Sequence, residues 1–179
     1  MHFMRLASTA FLFFLSATRL DGQSIPLKSS WEQFQFLVGK WTATGSGQPG
    51  AAATGGFTFG FDLEKNILMR RNWAKYPPKA GEKVGINHED LMIIYPDAAP
   101  GKFRAIYFDN EAHVINYTVS FPAKQPAVTF ESDNSQPGPQ YRLTYELDRQ
   151  GQIVIAFLIA TAPGQEFREY TRGTARRVK

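Results

Sequence analysis

KFRAIYFDNEAHVINYTVSF, residues 102–121, decides the fold. Phe103, Ala105 and Tyr107 alternate with Arg104 and Ile106. After Asp109-Asn110-Glu111, the residues His113, Ile115, Tyr117, Val119 and Phe121 alternate with Asn116, Thr118 and Ser120. A period of two puts each set on one face of a strand, and Asp-Asn supplies the chemistry of a tight connection. The stretch is therefore an antiparallel hairpin with one apolar face. The same pattern extends outward in both directions, with strands predicted at about 40–46, 57–63, 66–75, 89–95, 102–109, 113–121, 126–132, 141–148, 152–160 and 166–176. Glu64-Lys65-Asn66 and Asp148-Arg149-Gln150-Gly151 read as tight turns, while 76–87 and 133–140 read as longer loops. No strand is followed by a helical stretch, which excludes a parallel sheet built from βαβ units. About ten sequential strands leave two adhesive edges unless the sheet closes. The expected fold is all-β: one antiparallel up-and-down barrel.

Ahead of the first strand, Trp31, Phe34, Leu37 and Val38 recur at helical spacing behind Ser29 and Ser30, so a short N-terminal helix is expected to end at Gly39. Residues 46–56, rich in Gly and Ala, read as a loop that could close over a barrel mouth. The chain opens with Arg5 and an apolar run from Leu6 to Ala17, with Gly22 and Ser24 at the spacing a signal peptidase accepts. Residues 1–24 are thus expected to be a signal peptide, and 25–179 the barrel domain of a secreted or periplasmic protein. The apolar run is shorter than the ~20 residues that span a bilayer, and no transmembrane segment is expected after its removal.

The 179 residues include no Cys, which excludes disulfides, thiol catalysis, thiolate metal sites and a lipoprotein anchor. The formal charge of +4 falls to +3 when residues 1–24, with two arginines and one aspartate, are removed; the excess is dispersed, and nucleic-acid binding is not expected. The 15 Phe and 7 Tyr are a heavy aromatic load. Alternation turns Tyr107, Tyr117, Tyr141 and Tyr145 inward, with Leu143 and Leu147. Several phenols facing one space call for either an internal hydrogen-bond network or a ligand with a polar tip.

Chemistry concentrates in two places. At the turn, Asp109, Glu111 and His113 bring two carboxylates and an imidazole to one rim, suited to acid–base work or a hard cation, though Asp-Asn there is also plain turn chemistry. At 88–90, His88 and Asp90 share a strand face. Arg70 and Arg71 are consecutive, so one points inward. Grouping Arg71 with Ile67, Met69 and Trp73 makes it a luminal cation, and Arg168 raises the same question near the C-terminus; either needs an acid such as Glu169 or Glu111, or an anionic ligand. Nucleophile elbow, Walker loop, zincin and dinucleotide signatures are all absent.

The opening FLVGKWTATGSG, residues 36–47, and the closing run from Phe167-Arg168-Glu169-Tyr170 to Arg176 resemble the calycin-type barrels, in particular nitrobindin-like and bacterial lipocalin-like exported proteins of unknown function. The resemblance implies a lipocalin-like barrel holding a small hydrophobic or planar molecule. Nitrobindins hold haem through a late histidine; here none follows His113, so haem is not expected, nor any other cofactor or metal. The leading expectation is an exported binding barrel for a small apolar or aromatic molecule, with Arg71, Trp73, Tyr107, His113, Tyr117, Tyr141, Tyr145 and Arg168 around it. A cofactor-independent enzyme working through His113, Asp109 and Glu111 is the alternative, and a filled structural barrel the third.

Overall fold

A computed structural model describes residues 30–46, 52–78, 80–81, 83–123, 126–133 and 138–179. The expected signal peptide, residues 1–24, lies outside them. Ten strands run through the chain: β1 (Gly39–Ser46), β2 (Ala52–Asp62), β3 (Ile67–Tyr76), β4 (Ile86–Pro96), β5 (Phe103–Asp109), β6 (Val114–Ser120), β7 (Ala127–Ser132), β8 (Gln140–Leu147), β9 (Ile153–Ala160) and β10 (Arg168–Arg177). Each pairs antiparallel with its neighbours in sequence, and β1 pairs with β10 from Trp41↔Arg177 to Ser46↔Arg172. The sheet is a closed up-and-down barrel with no free edge, the architecture the alternation and the calycin-type resemblance both called for.

Packing has sealed one end. The N-terminal segment is a 3-10 turn, Ser30–Phe34, rather than a longer helix. It buries Trp31, Phe34 and Leu37 beneath the barrel. Phe34 meets Phe103 and Phe121 edge to face, at 5.1 and 4.9 Å between centroids, and Trp31 sits 4.7 Å from Phe103. Trp41 Nε1 donates to the Leu37 carbonyl at 2.8 Å. Arg177, at the far end of the chain, donates from Nη2 to the Phe36 carbonyl at 3.0 Å and lies 4.3 Å over the Trp41 ring. Gly39 makes this possible: its φ is +125°, and a Cβ there would stand 2.5 Å from Arg177 Nη1. Above the plug, Phe57, Phe59, Phe130 and Tyr145 fill the lower barrel as an edge-to-face cluster.

Two expectations need correction. Residues 52–56 are strand, not loop: Ala53, Gly55 and Gly56 lie in register between β1 and β3, and a Cβ on Gly55 would stand 2.5 Å from the Trp73 carbonyl. Glycines serve here because the neighbouring backbone comes too close for a Cβ, and the ladder on both sides overrides their low strand preference. The rest of the expected loop, 47–51, lies outside the described residues. On β3 the inward face is Leu68, Arg70 and Asn72, so Arg71 and Trp73 point outward: Arg71 is exposed, and the Trp73 indole lies outside over Gly56. The apolar residues of β3 occupy both faces, so alternation alone could not choose between them.

Candidate functional site

The upper half of the barrel is hollow. A cavity of about 460 Å³ opens at the end opposite the plug, where β3, β5 and β9 finish and β4, β6 and β10 begin. Its wall has three chemically distinct sectors. Along β8 and β9 it is apolar and aromatic: Tyr141 stacks on Phe157 at 5.9 Å, with Leu143, Ile155 and Ile159 beside them. Along β1 and β2 it is lined by the small residues Ala43, Gly45, Ala53 and Gly55. Along β3, β4 and β5 it is polar. A second depression, about 630 Å³ and more open, lies near Arg71, Trp73 and Phe108 and shares Asn72, Asp90 and Asp109 with the first.

The polar sector is a chain of contacts set by register. Asn72 faces Asp90 across β3 and β4, and Asp90 faces Asp109 across β4 and β5. Asp90, almost wholly buried, accepts from Asn72 Nδ2 at 2.7 Å and lies 2.9 Å from Arg70 Nη1 and 3.3 Å from His88 Nε2. The Arg70–Asp90 contact is an ion pair out of line for a hydrogen bond, and Arg70 Nε has no partner; the guanidinium sits 5.6 Å over the Tyr145 ring. His88 reaches Tyr107 Oη at 3.1 Å through Nε2 and Glu111 at 3.1 Å through Nδ1. Tyr107 donates onward to Asp109 Oδ2 at 3.2 Å, and the same oxygen lies 2.9 Å from His113 Nδ1.

Three groups of this network are shifted by their surroundings. The hydrogen bond to Asp90, helped by Glu111 and opposed by burial, raises the His88 pKa above 6.5. Burial, then the Asp90 charge, pushes the Tyr107 phenol far above its ordinary range, so it stays a neutral donor. Burial works against the Asp109 carboxylate, but the His113 and Glu111 backbone N–H groups and the His113 ring outweigh it and hold its pKa below 3.8. Because the folded His88 pKa is raised, its contribution to stability is complete below the unfolded value of about 6.5 and is lost as pH rises through the folded value. The urea midpoint is therefore expected to fall between pH 6 and pH 9. A His88→Gln variant should flatten that fall, and an equal slope in both proteins would refute the assignment.

Of the residues singled out in the sequence, His88, Asp90, Tyr107, Asp109, Glu111, His113, Tyr117 and Tyr141 line the cavity, and Trp73, whose indole lies over Gly56, borders it. Asp109 orients His113, whose side chain is 58% exposed at the rim, while Glu111 turns to His88 instead. An imidazole held by a buried carboxylate has the geometry of a general base. Tyr145 is fully buried in the packed layer beneath, because Phe57, Phe59 and Phe130 close around it. Arg168 is exposed at the start of β10, and Glu169 pairs with Arg172 at 2.8 Å rather than with Arg168 or Arg71. Sequence reasoning chose Arg71 where the inward residue is Arg70, and missed Asn72 and Phe157. The outward polar partner of Arg70, Arg71, was the available signal, since only one of the two can be solvated. Among the described residues no group of three or more His, Asp or Glu is arranged to hold a metal ion, and no helix is long and apolar enough to cross a membrane.

No family model matches the chain, and no curated protein matches it. Among solved structures it is similar to the S-type phycobiliprotein lyase CPES from Guillardia theta, at a TM-score of 0.49 and 12% identity over 82% of this chain and 90% of that one. At that distance no residue role is carried across.

Proposed function

We propose that this protein is an exported binding barrel that holds a small apolar or aromatic molecule in its lumen. The observation that carries the reading is the one-ended cavity: about 460 Å³, floored by packed aromatics, apolar along β8 and β9 and polar along β3 to β5. Binding sites commonly combine a largely apolar wall with a few convergent polar groups, in volumes of roughly 300–1,000 Å³. A barrel meant only to support itself would gain by filling that space, since unfilled volume forfeits packing contacts. The apolar run and small residues before Ser24 support export to the periplasm or beyond. Haem is not part of the proposal, because the chain offers no histidine after His113.

The test is native mass spectrometry of protein purified from its own host, beside a Leu143→Trp variant that fills the cavity. The wild type is expected to carry excess mass that denaturation releases, and the variant to carry none. Equal excess mass in both would place the guest elsewhere. A bare wild type that also fails to bind any apolar fluorescent probe would end the reading.

A further inference from the structure

The charges around the cavity do not match those of the protein. The whole chain is basic, at +4, yet Asp90, Asp109 and Glu111 all line the lumen. The two arginines there are engaged: Arg70 with Asp90 at 2.9 Å and Arg172 with Glu169 at 2.8 Å. Among the described contacts neither Asp109 nor Glu111 meets an arginine or lysine: Asp109 accepts from Tyr107 Oη and from the Glu111 and His113 backbone N–H groups and lies 2.9 Å from the His113 ring, while Glu111 lies 3.1 Å from His88. Glu111 is also the most exposed of the three carboxylates, its side chain 54% exposed.

Aromatic rings surround the same mouth. Tyr170 meets Phe157 edge to face at 6.2 Å, Phe157 stacks on Tyr141, and Tyr107 meets Tyr117 at 6.4 Å. Tyr76 also lines the cavity. Burial first, then the charges of Tyr170, Glu111 and Asp90, raises the Tyr76 pKa; burial and then Glu111 raises that of Tyr170. Both phenols therefore stand within the field of Glu111 and remain neutral. Ring faces carry negative potential and attract cations, more strongly where water is excluded. An anionic guest would meet the same faces and two carboxylates as repulsion.

We propose that the luminal guest is an organic cation, an amine, quaternary ammonium or amidinium on an apolar body. Its charged head is held at the mouth between Tyr76, Tyr170 and the Glu111 carboxylate, and its body lies against Leu143, Ile155 and Phe157. This rests on the luminal binding reading above and specifies it.

Three probes sharing one naphthylethyl body separate the two claims: the trimethylammonium, its uncharged tert-butyl isostere and the carboxylate. Each is titrated against wild type, Glu111→Gln and Leu143→Trp by calorimetry and naphthyl fluorescence. The ammonium is expected to bind wild type about tenfold more tightly than its isostere, and the carboxylate most weakly. Glu111→Gln should shrink the ratio of ammonium to isostere several-fold, and Leu143→Trp should abolish binding of both. An isostere or carboxylate that binds wild type as tightly as the ammonium overturns the cation while leaving luminal binding intact. So does an ammonium-to-isostere ratio unchanged in Glu111→Gln, whereas ammonium binding that survives Leu143→Trp places the guest outside the lumen and overturns both. Failure of all three probes to bind wild type overturns both.

Discussion

Replacing Asp90 with Leu is expected to cost about 3–5 kcal/mol of stability, the range seen when one partner of a buried ion pair is removed. The loss would be a large share of the roughly 5–15 kcal/mol that holds a domain folded. Asp90 is the ionic partner of Arg70, whose side chain is 6% exposed and whose Nε already lacks a hydrogen bond. Without it a guanidinium stands against Tyr145 with nothing to balance it. The reverse change, Arg70→Met, is expected to cost clearly less, because Asp90 keeps Asn72 at 2.7 Å and His88 at 3.3 Å. The pair Arg70→Met with Asp90→Leu should recover most of the loss, since two apolar side chains replace two charges. Urea unfolding of the four proteins closes the cycle. A double variant as unstable as Asp90→Leu alone would mean that packing, not charge, explains the first result.

Phe34→Ala should be comparably damaging, at about 3–5 kcal/mol, the usual cost of emptying a buried phenylalanine site. Phe34 is fully buried and touches Trp31, Phe103 and Phe121. Its neighbours cannot easily collapse into the gap, because Phe103 is held in β5 in register between Pro96 of β4 and Val119 of β6. The size of the effect also tests whether the 3-10 turn is part of the core or an appendage. Thermal unfolding monitored by tryptophan fluorescence checks it, with Trp31 and Trp41 both beside the site. A loss under about 1 kcal/mol would mark the segment as dispensable.

Much of this architecture is legible along the chain because barrels of this kind are local: every pairing except that of β1 with β10 joins consecutive strands. Asp109-Asn110 and Asp148 to Gly151 announce their turns by chemistry confined to a few residues. The inward faces of β6 and β8 were readable because one side of each carries Tyr, Leu, Ile or Val and the other mostly polar residues. On β3 that contrast fails. Ile67 and Met69 are outside, Leu68 is inside, and an arginine follows on each face. Strand formation by Ala52 to Gly56 was illegible for a different reason, since it is imposed by β1 and β3 and not by the segment's own preferences. The site was half visible. That Asp109 would orient His113 follows from a four-residue turn, whereas the link from His88 to Tyr107 needs the register of β4 on β5, which no local pattern states.

The seal beneath the barrel has a kinetic meaning. A tube open at both ends lets a newcomer push out the resident from behind, so that exchange speeds up with the newcomer's concentration. Trp31, Phe34 and Leu37 make this lumen a blind tube. Any molecule inside must leave by the way it came, past Tyr76 and Glu111, before another can enter. Turnover of contents is then set by spontaneous departure alone, and a flood of competitor outside cannot hurry it.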